Sequence, residues 1–258
     1  MPDSSARDEV TACVIVIGNE ILSGRTQDAN LAYLGQGLNE IGIRLVEARV
    51  IPDVEATIVD TVNAARAAHD YVFTTGGIGP THDDITAAAV AKAFGVALIR
   101  HPDALALLEE QYRNSTLELN EARRKMADVP EGATLIENPV SAAPGFRMEN
   151  VFVLAGVPAI CQAMFDGIKG GLTGGPPVLS RTITSAVPEG TLAADLGAVQ
   201  ADYPEVDIGS YPYYRSGAYG VSVVLRATDE PRLDAAADAV RDLIRSHGAE
   251  PRDGELHA

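Results

Sequence analysis

The sequence predicts an α/β fold, a three-layer domain around a mostly parallel sheet followed by a small α+β domain. Residues 12–17 form a continuous apolar run, which is typical of strands buried on both faces in parallel sheets. Strand and helix patterns alternate through the first two thirds of the chain. The pattern changes after GGLTGGPP, a stretch typical of linkers. The predicted organisation is domains at 10–170 and 178–247, with flexible tails at 1–9 and 248–258.

Composition restricts the classes of partner. A chain of 258 residues is long enough to bury a sizeable core. Its net charge of -16 argues against nucleic acids and membrane surfaces as partners, because both need a basic patch. There is no apolar stretch of the roughly 18 residues that a membrane span needs, and no signal peptide. We therefore expect a cytoplasmic protein in which Cys13 and Cys161 are reduced core residues.

The first domain is predicted to begin with the element order β-α-β-α-β-α. After these six elements, strands and helices no longer alternate regularly. Asp28 is placed to cap the first helix and Asp53 to cap the second, while Gly42 ends the first. Apolar residues recur at helical spacing in each helix. The predicted strands are 12–17, 43–51, 71–74, 96–99 and 151–154. The predicted helices are 28–42, 54–68, 86–94, 102–113, 120–126 and 159–168, with a proline-broken loop across 136–146.

The second domain has a different pattern. Alternating apolar and polar residues predict strands that bury one face only, and the last helix is amphipathic. The order is β-α-β-β-α, which predicts a one-sided antiparallel sheet. The predicted elements are a strand at 179–187, a helix at 192–200, strands at 206–211 and 219–227, and a helix at 231–246.

The third predicted strand runs into a loop rich in glycine, YVFTTGGIGPTHDD. A strand that passes through Gly76, Gly77 and Gly79 into a helix places bare N–H groups beside a helix N-terminus, which favours a phosphate. Asp83 and Asp84 would repel a phosphate but are suited to a divalent cation that binds one. The alternative is a plain strand–loop–helix connection with Asp83 as the N-cap.

Two further strand ends carry carboxylates. In parallel sheets, ligands bind outside the carboxyl ends of the strands. The loops at 18–28 and 52–53 leave the same edge as the glycine loop and contribute Glu20 and Asp53. The sequence therefore predicts one composite site in which these acids lie near Asp83 and Asp84.

A basic cluster, NEARRKM, stands out in so acidic a chain. Arg123, Arg124 and Lys125 either supply positive charge to a phosphate or form a solvated helix face. His82 either titrates near neutral pH at the site or serves as a hydrogen-bond donor within its loop.

Several motifs together resemble the CinA family (competence/damage-inducible protein A). They are GNEILSGR with Asp28 and Asn30, Pro52-Asp53, TTGGIGPTHDD, NEARRKM, NPVSAAPGF and LAGVP. Residues 12–168 resemble the family's N-terminal domain, which has the molybdopterin-binding fold of the MoaB/MogA enzymes. The second domain looks like the small domain that follows it in CinA proteins. Asn19 and Ala155 replace an aspartate and a proline that are usual in the family. The chain has no room for the family's C-terminal amidase domain, so amidase activity is not expected.

The resemblance implies metal-dependent hydrolysis of ADP-ribose to AMP and ribose 5-phosphate. Asp84, with Asp83 and Glu20, would hold Mg²⁺ or a similar cation. Asp53 would orient water or bind a hydroxyl, and Lys125 or Arg124 would offset charge in the transition state. The expected substrate-binding residues are Gly18, Glu20, Ser23, Gly24, Asn30, Thr75, Gly76, Gly77, Gly79, Pro80, Thr81, Asn120, Arg124, Asn138, Gly145, Gly156 and Pro158.

Two other functions stay open. The wider fold implies a molybdopterin-binding protein or an adenylyltransferase of molybdenum-cofactor biosynthesis, with a pterin phosphate as ligand. A non-catalytic nucleotide sensor would bind the same ligands without turnover. The resemblance also implies a homo-oligomer, either a dimer or a trimer.

Overall fold

A computed structural model describes residues 9–113, 115–215 and 218–254. The chain divides into two compact units, Met1–Gly175 and Pro176–Ala258, so the division falls within the predicted linker. The outer parts of the two predicted tails, 1–8 and 255–258, lie outside the described residues. Within the described ranges, no helix is long and apolar enough to cross a membrane.

The first unit contains a six-stranded sheet and a separate two-stranded sheet. Its strands are β1 Val10–Ile17, β2 Ile43–Ile51, β3 Tyr71–Thr75, β4 Leu98–Arg100, β5 Asp128–Pro130, β6 Thr134–Ile136, β7 Gly145–Met148 and β8 Val151–Leu154. The large sheet has the order β2-β1-β3-β8-β7-β6. Its first four strands are parallel, as predicted, whereas β7 and β6 extend it in antiparallel fashion. Strands β4 and β5 pair with each other.

Helices cover both faces of the large sheet, which confirms the three-layer prediction. They are α1 Asn19–Leu22, α2 Asn30–Glu40, α3 Glu55–Ala68, α4 Thr86–Phe94, α5 Pro102–Arg113, α6 Glu121–Arg124 and α7 Pro158–Lys169. Alternate residues of β1 point to opposite faces. Cys13 and Ile15 join the cluster that α3 and α4 cover, while Val14 and Val16 join the one under α2 and α7. Because both faces are covered, β1 is apolar throughout.

Both cysteines are free and buried, as predicted. Burial raises the pKa of the Cys13 thiol to about 11 and that of Cys161 to about 12. Both are therefore thiols, not thiolates, in the protein without ligands.

Two local predictions for the first unit were wrong. The expected loop at 136–146 contains the ends of the β6–β7 hairpin, whose strands of three and four residues are too short to show a clear period. Helix α3 has no side-chain cap, because Asp53 accepts a hydrogen bond elsewhere. Asp28 does accept the Leu31 N–H at 2.8 Å, in agreement with its predicted role at the start of α2.

The second unit is an antiparallel sheet covered on one face, as the sequence predicts. Its elements are β9 Leu179–Ser185, α8 Glu189–Asp202, β10 Asp207–Arg215, β11 Ala218–Ala227, α9 Glu230–Ser246 and β12 Arg252–Asp253. The strand order is β10-β11-β9-β12. Val221, Val223 and Leu225 alternate along β11 and pack with apolar residues of α8 and α9.

The region expected to be a flexible tail at 248–258 is ordered in part. Arg252 and Asp253 pair with β9, and the Arg241 guanidinium on α9 binds the Asp253 carboxylate at 2.7 Å. Two residues carry too little periodicity to mark a strand, so the sequence does not predict β12.

A bulge in β2 changes which face its side chains occupy. Ala12 pairs with Leu45, but Cys13 pairs with Glu47, so Val46 is the extra residue. Glu47 accepts hydrogen bonds from the Arg49 guanidinium at 2.8 and 3.0 Å and contacts His69 Nε2 at 3.0 Å. The bonds from Arg49, and then from His69, lower the pKa of Glu47 to about 2.

This network predicts a specific acid sensitivity. Because the pKa of Glu47 is lower in the folded protein than its ordinary value of 4.5, the stability from its ionised form is present above about pH 4.5. It is lost as the pH falls toward about 2. We expect the difference in unfolding free energy between wild type and Glu47→Gln to shrink across that window, measured by urea denaturation with a chelator present. Glu110→Gln, an exposed substitution on α5, is the control. Its unfolding free energy should differ little from that of wild type at every pH in the window.

Candidate functional site

The loops after β1, β3 and β8 meet at the carboxyl edge of the large sheet. The Gly76 N–H donates to Leu154 O at 3.2 Å. A Cβ on Gly76 would lie 2.2 Å from Ile17 O, and one on Gly156 would lie 3.2 Å from Gly76 Cα. Gly76 also has a φ of +102°, which favours glycine. Glycine is therefore required where the three loops make contact.

Asp53 links the loop after β2 to the loop after β1. Its Oδ2 accepts the backbone N–H of Asn19 at 2.8 Å, at the start of α1. The Glu20 carboxylate folds back over Gly18, where a Cβ would lie only 2.5 Å from Oε1. The sequence correctly assigns Asp53 to this edge of the sheet, but it does not identify the bonding partner.

An acidic turn, which we define as residues 81–84, lies beyond the glycine loop. The Thr81 hydroxyl lies 2.5 Å from both Asp83 Oδ1 and Asp84 Oδ2, and the Thr81 N–H donates to Asp84 Oδ2 at 2.7 Å. One hydroxyl proton serves only one acceptor at a time, so the two carboxylates share it. This bond lowers the pKa of Asp83. The two aspartates thus converge on a single oxygen.

The alternative role of Asp83 as a helix cap is wrong. Helix α4 begins at Thr86, with Ile85 at the N-cap and no side-chain cap. Thr86 instead ties the helix to the glycine loop. Its N–H donates to Gly77 O and its hydroxyl donates to Gly76 O, each at 3.0 Å.

The sequence predicts that three glycine N–H groups are open to a phosphate. In the described part of the chain, two of the three are. The Gly76 N–H is already bonded to Leu154 O, so it is not available to a phosphate. Among the described residues, the N–H groups of Gly77 and Gly79 have no hydrogen-bond acceptor. The Asp84 carboxylate lies against Gly79, since a Cβ there would be 2.7 Å from Oδ2. Two open donors and two carboxylates therefore lie side by side.

Of the basic cluster, Lys125 reaches the acidic turn. Its ammonium donates to Thr81 O at 2.8 Å and to Asp84 O at 2.7 Å. Arg124 instead pairs with Glu109 on α5 at 3.1 Å, and the Arg123 guanidinium donates to Glu118 O. Lys125 therefore holds the backbone of the turn, and the structure does not bring Arg124 to the same place.

A cleft opens next to the acidic turn. Its lining includes Gly77, Gly79, Asp84, Lys125 and Phe146, together with the first residues of α4. Most of its lining is apolar, and it includes Asp84 of the acidic turn. Apolar surface beside a few polar groups is typical of small-molecule sites.

Three buried side-chain oxygen atoms lack partners within the described part of the chain. They are Asn30 Oδ1, Thr74 Oγ1 and Thr75 Oγ1. The Asn30 amide nitrogen is occupied, because it donates to Gly156 O at 2.8 Å. Buried polar atoms are normally bonded, so each of these oxygens is a point at which a water or a ligand donates.

Other residues predicted to bind substrate have local structural roles. The Asn138 side chain is bonded to the backbone or side chains of residues 140–143. Asn120 caps α6, Ser23 donates to Glu20 O, and Pro158 begins α7. Gly145 allows close contact with Val153 O, Gly24 has a φ of +71°, and Pro80 is exposed. His82 is 98% exposed and lies 4.0 Å from Asp83.

The predicted set of metal ligands is not assembled as a whole. Among the described residues, Glu20 does not join Asp83 and Asp84 in a group of three ligand atoms within 4.8 Å. The two aspartates alone match the coordination preference of Mg²⁺. This ion binds one or two carboxylates and completes its coordination shell with water and substrate phosphates. Asp83 and Asp84 are therefore the residues suited to hold such a cation.

Comparison with known families agrees with this architecture. Residues 13–173 match the family model described as a probable molybdopterin binding domain, and residues 177–253 match one described as the FAD synthase middle domain. The chain belongs to the first of these families, which is the one shared with the MoaB/MogA-like proteins. The second match shows that the second unit is similar to the middle domain of FAD synthase.

Individual relatives cover the chain to different extents. A protein of Aeropyrum pernix is 39% identical over 95% of this chain and 96% of its own length. The probable FAD synthase of Caenorhabditis elegans is 30% identical over 92% of this chain. The matched region is 50% of the length of that relative. The crystal structure of the protein CinA from Thermoplasma acidophilum covers 64% of this chain and 98% of its own, with 35% identity and a TM-score of 0.59.

Proposed function

We propose that the first unit hydrolyses the diphosphate of an adenine nucleotide, such as ADP-ribose or FAD, with a divalent cation. The observation that carries the proposal is the convergence of Asp83 and Asp84 on the Thr81 hydroxyl, beside the open N–H groups of Gly77 and Gly79. ADP-ribose would give AMP and ribose 5-phosphate, and FAD would give AMP and FMN. The name of the C. elegans relative supports FAD as a candidate.

Each residue has a definite task in this proposal. Asp83 and Asp84 hold Mg²⁺ or a similar cation, which supplies charge neutralisation at the phosphoryl oxygens. Gly77 and Gly79 donate hydrogen bonds to the same diphosphate. Asp53 accepts a hydrogen bond from a substrate hydroxyl or orients the attacking water. Lys125 keeps the acidic turn in position. Asn30 and Thr75 present free oxygen atoms to donors of the ligand.

The second candidate is a pterin-phosphate protein, a molybdopterin binder or adenylyltransferase. It is favoured by the description of the matched family. The same cleft and N–H groups would bind the phosphate of molybdopterin. This function predicts tight pterin-phosphate binding without turnover of ADP-ribose or FAD.

One experiment separates these candidates. The purified chain is incubated with ADP-ribose, FAD and a pterin phosphate, each with and without Mg²⁺, and the products are resolved by chromatography. Release of AMP that requires the cation supports hydrolysis. Binding of nucleotides without any product would indicate a sensor, and retention of the pterin alone would favour the second candidate.

Replacing Lys125 tests whether it positions the acidic turn. Lys125→Met keeps the length and apolar stem of the side chain but loses both bonds to backbone carbonyls. We expect AMP release to fall about tenfold to a hundredfold, because small displacements of reacting groups are costly. Lys92→Met, which removes an exposed ion pair with Glu55, is the control and should retain activity. Equal activity of both variants would contradict the positioning role.

Location and assembly belong to the same proposal. We propose a cytoplasmic protein that forms a dimer or trimer. Light scattering on the purified chain would measure its mass in solution, and a monomer would contradict this part.

A further inference from the structure

A second polar cluster lies away from the glycine loops and has no task in the proposed reaction. Its members are Cys13 on β1, Glu47 on β2 and His69 immediately before β3, which are neighbouring strands of the sheet. One sulfur, one carboxylate oxygen and one imidazole nitrogen from these residues all lie within 4.8 Å of one another. Among the described residues, this is the one group of three such side chains.

The bulge in β2 creates this cluster. Side chains alternate between the faces of a sheet, so in an unbroken register Val46 would pair with Cys13, and Glu47 would pair with Val14 and point toward α2. With the bulge, Glu47 pairs with Cys13 and shares its face. Bulges at sheet edges commonly redirect a side chain for a purpose. Here, the redirected side chain is a carboxylate that meets a thiol and an imidazole.

The cluster is enclosed but has an open side. Cys13 is fully buried, the His69 side chain is 11% exposed, and the Glu47 side chain is 36% exposed at the edge strand. The Cys13 sulfur has only a weak contact, at 3.9 Å to Val14 O. Glu47 is therefore the member of the cluster most open to solvent, and the sulfur has no strong partner.

We propose that Cys13, Glu47 and His69 bind one divalent cation of borderline softness, with Zn²⁺ the best fit. Thiolate, imidazole and carboxylate together are ligands typical of Zn²⁺, and water fills the fourth tetrahedral position. Zinc bonds of about 2.0–2.3 Å require the three ligand atoms to lie about 3.5 Å from one another. Glu47 Oε2 and His69 Nε2, now 3.0 Å apart, must therefore separate and give up their direct contact. Rotation of the Glu47 and His69 side chains at the sheet edge supplies this movement.

Arg49 supports the site as an outer partner. Its guanidinium holds Glu47 through two hydrogen bonds, and a carboxylate has further lone pairs with which to bind a metal. On binding, the sulfur–metal bond replaces the S–H bond, and this proton leaves to solvent. The imidazole binds through Nε2 as the neutral tautomer, with its proton on Nδ1. The Cys13 thiol therefore releases one proton for each cation bound.

The test uses Co²⁺ as a spectroscopic substitute for Zn²⁺ on the full chain after removal of metals. We expect one equivalent of Co²⁺ to produce a thiolate-to-cobalt charge-transfer absorption, with Zn²⁺ displacing the cobalt. The absorption should vanish in Cys13→Ser. It should persist in Cys161→Ser, the matched control, because Cys161 is equally buried but belongs to no such cluster among the described residues.

The outcome is independent of the proposed hydrolysis, because the acidic turn offers oxygen ligands and gives no thiolate absorption. Absence of the band in wild type, or its loss in Cys161→Ser alone, would overturn the zinc site. If Cys13→Ser does not fold, Glu47→Gln and His69→Asn serve instead, with folding checked by circular dichroism. Each should weaken Co²⁺ binding at least about tenfold. Unchanged affinity in both would overturn the proposal.

Discussion

Asp84→Asn is expected to reduce cation-dependent release of AMP by about 10²–10³-fold, the size of effect seen when one electrostatic stabiliser is removed. The amide keeps an oxygen that can accept the Thr81 N–H, so the acidic turn should keep its shape. What is lost is the negative charge that, together with Asp83, suits the site to a divalent cation. Product chromatography over a range of Mg²⁺ concentrations measures both the rate and the apparent affinity for the cation.

A matched control separates this effect from a general change of charge. Asp60→Asn makes the same substitution on an exposed position of α3, which has no side-chain hydrogen-bond partner among the described residues, and should retain activity. Asp83→Asn should have an intermediate effect if both carboxylates hold the cation. Full turnover in Asp84→Asn would contradict the role of Asp84 as a cation ligand. Asp83 would then be the remaining candidate for that role.

Gly76→Ala is expected to destabilise the first unit by about 3 kcal/mol or more, or to prevent its folding. The added Cβ would lie 2.2 Å from Ile17 O, and the φ of +102° is unfavourable for alanine. The obstructing atom belongs to the backbone of a central strand, which cannot rotate away as a side chain would. Urea denaturation measures the loss, and the soluble yield is the readout if folding fails.

Gly95→Ala is the control that isolates the steric contact. Gly95 ends α4 with a φ of +68°, but no atom lies within 4 Å of a Cβ built there. Gly95→Ala should therefore lower the free energy of unfolding only by the cost of the left-handed backbone conformation, about 1–2 kcal/mol. If Gly76→Ala were no more destabilising than Gly95→Ala, the loops after β1 and β3 would not approach as closely as the structure has them.

The parallel strands of the sheet could be predicted because their signals are local. The apolar run of β1 and the regular helix–strand alternation determine the parallel order. The β6–β7 hairpin escaped prediction because its strands are three and four residues long. Likewise β12, with two residues, has no period to detect.

The candidate site was predicted in composition but not in its bonds. The sequence assigns Asp53 and the glycine loop to one sheet edge, since parallel strands share their carboxyl ends. It cannot show that Asp53 binds Asn19, 34 positions away, or that Gly76 bonds to Leu154. Capping rules concern neighbours along the chain, whereas these partners are set by strand pairing. The same limit hid the cluster around Cys13, which depends on a register shift.

The pairing of β12 with β9 has a consequence for chain connectivity in the second unit. Strand β9 opens this unit and β12 closes it, and the two run antiparallel with Asp253 opposite Ile183 and the Gly254 N–H bonded to Thr182 O. The first and last described strands of the unit thus lie side by side. Modules whose ends are neighbours tolerate insertion into longer chains and circular permutation. The neighbouring end strands of this unit are therefore an arrangement suited to a module within a longer chain.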